Sequence, residues 1–235
     1  MVHGSNSTVC RWTIDSSALA KSIQLEVRPL LAFVDYHQLQ HEDKYFKADI
    51  LEKASLVSVR ADAELPEVYF GHNAVSIKRS GNWYNNFEYA IERERGFDFT
   101  EDLFQPFVMN FDLSRPAGLV ISTEQIPVKD VEKLERAEIK RRSKLVSTAN
   151  DTHEFTAQLV LAADQFIVKR GEGHTVIAGY PWFSDWGRDT MISLAGLTLV
   201  TNRPKIAKDI LLEFSKYISE GMTRGQSTRR NLKRK

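Results

Sequence analysis

The first half of the chain alternates apolar and polar residues over short runs. Ile23, Leu25 and Val27 alternate with polar residues, which is the two-residue period of a half-buried strand. Further runs of this type lie at 8–14, 56–60, 68–70, 74–78, 107–113 and 119–122. Turn signals such as Gly71-His72-Asn73 and Ser80-Gly81-Asn82 separate them. Many short strands with intervening turns predict a β-sandwich over residues 1–126.

The pattern becomes helical near Pro127. Residues 128–146 are rich in Lys, Glu and Arg, which predicts a solvent-facing helix within a linker over residues 127–149. Asp151 and Thr152 are candidate N-caps of a second helix, with Glu154 near the capping-box position. Its apolar positions are Phe155, Leu159, Ala162, Ala163, Phe166 and Ile167, and Gly171-Glu172-Gly173-His174 ends it.

Two more helices are predicted after an apolar and aromatic loop at 176–186. One begins near Gly187 and runs through Met191, Leu194 and Leu197. The other has Pro204 close to its first position, where proline costs least, and Gly221 after its end. Its apolar stripe is Ile206, Ile210, Leu211, Phe214, Tyr217 and Ile218. These helices predict the start of an all-helical domain over residues 150–222, with too few helices to close it.

The charge is uneven, and this limits the classes of partner. The chain carries 32 Lys and Arg against 31 Asp and Glu; six of the basic residues and no acid fall in the tail at 223–235, which leaves 26 against 31 elsewhere. A mildly acidic body argues against a nucleic-acid surface. The basic tail is interpreted as a disordered terminus, with an RNA-binding arm or nuclear signal as the alternative.

The sequence also bears on the cellular compartment of the protein and on whether it needs a metal or a cofactor. No apolar run approaches the roughly 18 residues of a membrane helix, and the N-terminus has no secretory pattern. With Cys10 as the single cysteine, we expect a cytoplasmic protein. His37 and His41 have the i, i+4 spacing of metal ligands on a helix, but no third ligand is apparent. No glycine-rich phosphate loop occurs, so neither a metal nor a cofactor is expected.

One segment is dense in chemical groups. Residues 178–190 combine several aromatic side chains with two carboxylates and an arginine, and the candidate residues among them are Tyr180, Trp182, Trp186, Asp185, Asp189 and Arg188. Indole rings suit the apolar face of a sugar, while an arginine fork and carboxylates suit its hydroxyl rim. The alternative is a helix-capping aspartate beside core aromatics. As a catalytic pair, Asp185 and Asp189 are disfavoured, because their spacing tends to place both on one side of the sugar.

The same segment carries a family resemblance. Residues 178–199 closely resemble the sugar-binding segment of the bacterial and archaeal type of glycogen-debranching enzyme, the amylo-α-1,6-glucosidase family. Further matching segments lie at 27–37, 83–89, 92–99, 101–106, 202–203 and 218–222, in the family's order. The likeness covers roughly residues 1–222 and is specific, because several independent segments contribute to it.

The resemblance implies both a fold and a reaction. The fold is an N-terminal β-sandwich followed by an (α/α) barrel like that of glucoamylases. The reaction is hydrolysis of α-1,6-glucosidic branch linkages in glycogen or limit dextrin, with maltooligosaccharides as related ligands. Carried onto this chain, the glucose-binding residues are Trp186, Arg188 and Asp189, together with Trp182 and Asp185.

Two departures from the family bear on activity. The chain begins in what resembles the middle of the family's β domain, and residues 223–235 no longer resemble the family. We therefore expect a chain truncated at both ends, whose family acid and base would lie beyond residue 222, and we assign no catalytic residue. A non-catalytic α-glucan-binding protein is the alternative function.

Overall fold

The chain divides into two units, Met1–Arg136 and Ala137–Lys235. The computed structural model describes residues 1–15, 23–35, 38–149, 153–180, 183–219 and 222–223. The order is the one expected from the sequence, with β structure first and helices after it. The division falls inside a long helix, α2 (Val131–Ser147), which lies within the predicted linker.

Among its described residues, the first unit has eight strands and one short helix before the chain enters α2. They are β1 (Ser7–Trp12), β2 (Gln24–Val27), β3 (Asp49–Lys53), β4 (Leu56–Arg60), β5 (Val68–His72), β6 (Ser76–Glu88), α1 (Ala90–Glu94), β7 (Thr100–Asp112) and β8 (Ala117–Ser122). One sheet has the order β1-β8-β5-β4-β3 and the other β2-β7-β6. All the strand pairs are antiparallel.

The two sheets of this β unit enclose an apolar core between them. Phe107, Met109 and Phe111 are alternate residues of β7, and all three are buried, as the two-residue period requires. Phe70 of the five-stranded sheet meets Phe107 of the three-stranded sheet edge to face, with ring centroids 5.2 Å apart. The other buried members are Val57, Val59, Ala117 and Leu119. This is the sandwich arrangement that the alternation predicts.

One predicted turn in this unit is wrong. Ser80-Gly81-Asn82 lies inside β6, a strand of 13 residues, and does not end it. The register of β6 against β7 shifts between Arg79 and Asn82, and Gly81 has a φ of 64°. The turn-like composition therefore marks a β-bulge, in which glycine accommodates the left-handed backbone. The strand β3 was not among the predicted runs.

Two glycines on neighbouring strands form a trough in the five-stranded sheet. A Cβ on Gly71 would collide with the carbonyl oxygen of Ile126, and one on Gly118 would meet the side chain of Val128 at 3.2 Å and that of Val131 at 3.4 Å. Because neither glycine has a side chain, the chain that leaves β8 can lie directly against β5 and β8. A single 3₁₀ turn, Val128–Asp130, carries it into α2.

The second unit combines helices with a small sheet. After α2 come α3 (Glu154–Gln165), β9 (Ile167–Arg170), β10 (Gly173–Gly179), β11 (Phe183–Asp185), α4 (Gly187–Leu194), α5 (Pro204–Ser215), β12 (Ile218–Ser219) and β13 (Met222–Thr223). A π-helical turn, Ala195–Leu199, extends α4. The sheet has the order β11-β10-β9, and β12 pairs with β13.

The prediction of helix ends in this unit was partly wrong. The helix expected to reach Gly171 ends at Gln165, and Ile167 begins a strand instead. The expected loop at 176–186 contains most of β10 and all of β11. His153 caps α3, and its Nδ1 accepts a hydrogen bond from the backbone N–H of Phe155 at 3.2 Å. The proposed caps at residues 151–152 and at Gly221 lie outside the described residues.

The last two predicted helix starts are confirmed, at Gly187 and Pro204. Ile210 and Phe214 of α5 are buried and pack with Val176 of β10 in a small apolar cluster. Leu211 was expected in the same stripe but is 46% exposed. Tyr217 and Ile218 lie beyond the end of α5. The apolar stripe is therefore shorter than predicted, because it ends with the helix at Ser215.

Candidate functional site

The predicted sugar-binding segment is a strand-to-helix turn. Asp185 is the last residue of β11, Trp186 follows with extended backbone, and α4 begins at Gly187. Arg188 and Asp189 occupy the first turn of α4 and are both exposed. We call residues 186–189 the 186–189 turn. Trp186 is half-buried, and Trp182 lies outside the described residues.

Asp185 has different surroundings from its neighbours in the sequence. It is 2% exposed, and its Oδ2 lies 2.5 Å from Nη1 of Arg170. The hydroxyl of Thr175 donates to the same oxygen at 2.9 Å. The three side chains come from β11, β9 and β10, so the cluster joins all three strands of the small sheet. In this position the carboxylate holds the strand end from which the 186–189 turn begins.

The other side of Arg170 is also enclosed. Its guanidinium lies 4.6 Å from the ring centroid of Tyr217 and 5.7 Å from that of Phe214. Its Nε is 3.9 Å from Oε1 of Glu213, whose Oε2 accepts from Lys216 at 2.6 Å. A buried charge is stable only when it is paired and well hydrogen-bonded. The aromatic rings and the two carboxylates meet that requirement for Arg170.

The first turn of α4 has its own hydrogen bonds. The N–H of Thr190 donates to the carbonyl of Trp186 at 2.9 Å, and the hydroxyl of Ser193 donates to the carbonyl of Asp189 at 2.8 Å. Asp189 lies in the first turn of the helix, where acidic side chains are favourable neighbours of the exposed backbone N–H groups. The backbone around Arg188 and Asp189 is therefore fixed while both side chains remain free to reach an external group.

Two exposed aromatic rings lie at the start of β11 and shortly before it. Tyr180 is 56% exposed and Phe183 is 54% exposed. The hydroxyl of Tyr180 donates to the carbonyl of Gln165 at 3.1 Å, and partial burial raises the pKa of that hydroxyl. Flat rings beside hydrogen-bonding groups are the components that sugar binding uses.

Sequence reasoning missed the residues that support Asp185. Arg170, Thr175 and Glu213 were not selected, because they are distant in sequence and belong to no recognised motif. No signal in the sequence separates Arg170 from its neighbour Lys169, which carries the same charge but is exposed. Only the strand pairing shows that Arg170 is the buried cation and Asp185 its partner.

Two family models match the chain, one in each half. The model of the glycogen debranching enzyme N-terminal domain matches residues 1–119. The amylo-alpha-1,6-glucosidase model matches residues 161–229. The chain belongs to the glycogen debranching enzyme family. The second match contains every predicted sugar-binding residue of this debranching-enzyme chain. Searches of curated proteins and of solved structures returned no match.

The described residues of this family member contain no group of three or more His, Cys, Asp or Glu placed to hold a metal ion. His37 of the candidate histidine pair lies outside them. Nor does that part of the chain include a helix long and apolar enough to cross a membrane.

The two carboxylates of the segment cannot act alike in this arrangement. Asp185 is enclosed with an arginine, whereas Asp189 is exposed on the helix. A glycosidase needs two carboxyl groups on opposite sides of the scissile bond. Arg188 and Asp189 are therefore open to an external group, whereas Asp185 anchors the turn that carries them.

Proposed function

We propose that the chain contributes a glucan-binding turn to the reaction of its family, the hydrolysis of α-1,6-glucosidic branch linkages in glycogen or limit dextrin. The observation that carries the proposal is the 186–189 turn itself. An exposed guanidinium and an exposed carboxylate follow an indole ring, on a backbone anchored by the buried Asp185–Arg170 pair.

The roles within the turn follow from the chemistry of each group. Arg188 donates to the hydroxyls of a terminal glucose, and Asp189 accepts from them. The indole of Trp186 covers the apolar face of the ring, and Trp182 adds a second aromatic surface. Asp185 enters the proposal as a positioning residue, because its carboxylate is already held inside the protein.

We further propose that α3, α4 and α5 belong to an (α/α) barrel like that of glucoamylases. Large apolar residues on and near these helices support this idea. Ile192 is 73% exposed, Val200 is 70% exposed and Leu212 is 53% exposed. Helices of a barrel pack on both neighbours, and such side chains are the contacts that this packing uses.

The 235-residue chain, taken alone, is proposed to bind glucan without hydrolysing it at a glycosidase rate. Asp164, Asp185 and Glu213 are each held by Arg or Lys partners. This pairing favours the alternative of a non-catalytic glucan-binding chain. Loss of a catalytic acid forfeits about a hundredfold to ten-thousandfold in rate. Glucose release from limit dextrin at a rate normal for glycosidases would contradict this proposal.

Binding is tested by calorimetry with maltooligosaccharides. Arg188→Ala is expected to weaken binding about tenfold, because a charge-assisted pair of hydrogen bonds is lost. Arg188→Lys should restore little of it, since an ammonium group cannot reproduce the planar fork. Asp189→Asn keeps the size of the side chain but removes its charge, and we expect an intermediate loss.

The matched control is Arg142→Ala, which removes an exposed arginine of α2, a helix that contributes no residue to the turn. It should leave maltooligosaccharide affinity unchanged. Melting curves of all variants separate binding from stability. Unchanged affinity in a folded Arg188→Ala chain would end the assignment. A lower melting temperature without a separate loss of affinity would favour a purely structural role.

The partner and the compartment complete the proposal. We propose an α-glucan, and not a nucleic acid, as the ligand, in a cytoplasmic setting that suits the free thiol of Cys10. The basic residues beyond position 223 lie outside the described residues. Tight RNA binding that falls steeply with salt would contradict the choice of partner.

A further inference from the structure

A cavity of about 340 Å³ with a cationic side opens on the β unit, far in sequence from the 186–189 turn. Its volume falls in the range of about 300–1,000 Å³ that is usual for small-molecule sites. Strands β6 and β7 contribute to its wall around the bulge in β6, together with the residue that follows β2. Three cationic residues, three neutral polar residues and one apolar residue line it: Arg28, Lys78, Arg79, Ser80, Asn82, Gln105 and Val108.

The positive charge of the cavity is only partly neutralised. Arg28 is paired with Glu26 at 2.6 Å and also donates to the hydroxyl of Tyr84 at 2.8 Å. Arg79 donates to the carbonyl of Ile50 at 2.9 Å, which fixes its guanidinium without cancelling its charge. Lys78 has no carboxylate partner among the described residues, and no acidic residue lines the cavity. An anion is therefore the ligand that this charge favours.

Gln105 adds a different requirement. It lines the cavity and is 1% exposed, and its Nε2 donates to the hydroxyl of Ser80 at 2.6 Å. Its Oε1 is buried and accepts no hydrogen bond from the described part of the chain. A buried amide oxygen is destabilising until a donor reaches it. An anion without hydrogen-bond donors cannot satisfy it, whereas a ligand hydroxyl can.

We propose that this cavity binds the phosphate monoester of a sugar. The phosphate lies against Lys78 and Arg79, and Arg28 closes the cationic side. The sugar hydroxyls face Ser80, Asn82 and Gln105, where one of them donates to Oε1 of Gln105. The ester has two possible sources, a free sugar phosphate or a phosphate carried on a glucan chain. The proposal stands independently of the 186–189 turn.

Titration calorimetry on the whole chain tests it with four probes: glucose 6-phosphate, glucose, inorganic phosphate and a maltooligosaccharide that carries a phosphate monoester. We expect glucose 6-phosphate to bind more tightly than inorganic phosphate and glucose to bind least at this site. The affinity should fall as salt is added, because exposed cations supply much of it. The two sources are compared in the Arg188→Ala chain, so that binding of the glucan part at the 186–189 turn does not contribute. There, a preference for the phosphorylated maltooligosaccharide assigns the source to the glucan, and a preference for glucose 6-phosphate assigns it to the free ester.

Three variants locate the site. Lys78→Gln combined with Arg79→Gln is expected to weaken glucose 6-phosphate binding about tenfold or more, since two charged donors are removed. Lys53→Gln removes an exposed lysine of β3 that does not line the cavity, and it should leave the affinity unchanged. Gln105→Met keeps the bulk of the side chain, and it should abolish the preference for glucose 6-phosphate over inorganic phosphate.

Several results would overturn the proposal. They are absence of binding to the phosphorylated probes, equal affinity for glucose 6-phosphate and inorganic phosphate, and full affinity in the Lys78→Gln, Arg79→Gln chain. Should Gln105→Met fail to fold, the comparison of the two phosphate probes on the unaltered chain still decides the role of the hydroxyls. Arg188→Ala provides the remaining control, because it should affect maltooligosaccharide binding and leave binding of glucose 6-phosphate intact.

Discussion

The β unit encloses an apolar core between two sheets, whereas the helical unit encloses charged side chains beside a much smaller apolar cluster. The first core has Phe70, Phe107 and Phe111 at its centre, all with at most 1% exposure. In the second unit the buried cluster consists of Val176, Ile210 and Phe214. The remaining interior positions there are largely polar, including two arginines and three acids: Arg170, Arg203, Asp164, Asp185 and Glu213.

The difference shows what each interior is suited to do. Burial of apolar side chains stabilises a fold, but it does not require those side chains to meet in particular orientations. Buried ion pairs contribute little net stability, but they require particular geometry. Asp164 illustrates this, since its two oxygens lie 2.6 Å from Arg141 and 2.7 Å from Arg203 and so join α2, α3 and the start of α5. The unit that presents the 186–189 turn is thus organised by directional contacts.

Removing a ring from the β core should have the largest effect on stability. Phe107→Ala leaves a cavity beside Phe70, and we expect the free energy of unfolding of the β unit to fall by about 4 kcal/mol. Denaturant unfolding followed by circular dichroism measures this. Phe97→Ala is the matched control, because Phe97 is 63% exposed and its loss should cost little. Similar losses in both variants would mean that the apolar core is not what stabilises this unit.

Breaking the buried pair should be the next most severe change. Arg170→Ala leaves the Asp185 carboxylate buried without its cation, and we expect a loss of about 3 kcal/mol in the helical unit. Arg142→Ala removes an exposed arginine beside Glu138 and should cost well under about 1 kcal/mol. Thermal melts of the two variants give the comparison. Equal melting temperatures would show that the charged interior is dispensable.

Acid should affect the helical unit through Glu138. Hydrogen bonds from Arg141, and then from Arg142, lower the pKa of this carboxyl from 4.5 to about 2. A lowered pKa stabilises the fold above the unfolded-state value, so this contribution is present above pH 4.5 and is lost as the pH falls towards 2. Because the site is near solvent, we expect a loss of only about 1 kcal/mol.

The acid prediction is measured by melting curves between neutral pH and pH 2. In Glu138→Gln the part of the acid sensitivity due to this carboxyl should disappear. Glu172→Gln changes an exposed carboxylate in the turn between β9 and β10 and serves as the control. An unaltered pH profile in Glu138→Gln would contradict the role of the two arginines.

Surface apolar residues should affect association more than stability. Ile192 on α4 is 73% exposed, and exposed apolar surface promotes self-association. We expect Ile192→Gln to lower the weight-average mass in sedimentation while changing the unfolding free energy by less than about 0.5 kcal/mol. Ile91 of α1 is 61% exposed in the β unit. If Ile91→Gln dispersed the chain equally well, association would not be a property of the helical unit.

The sequence predicted local features better than long-range ones. The strand Leu56–Arg60 and the helix starts at Gly187 and Pro204 were found, because alternation, a turn glycine and an N-terminal proline are local signals. Gly81 was misread, since a bulge and a turn have the same composition and differ only in whether the partner strand continues. That partner is β7, in which Phe107 pairs with Arg79 and Gln105 pairs with Asn82.

Only part of the candidate site could be predicted from the sequence. Arg188 and Asp189 belong to a contiguous motif, so the resemblance found them directly. Arg170 reaches Asp185 only because two strand pairings bring β9, β10 and β11 side by side. No periodicity in one segment specifies such a pairing. The cavity at Lys78 and Arg79 depends in the same way on a register shift between two long strands.

The glycine trough has a consequence for the order in which the chain folds during synthesis. Its floor consists of Gly71 from β5 and Gly118 from β8, whose strands are paired through Gly71↔Val120. The segment that fills it, residues 126–131, leaves the ribosome only after both strands have been made. We expect the sheet to close first and then receive this segment as a late addition. The β-sandwich would then be complete before α2 and the rest of the helical unit fold.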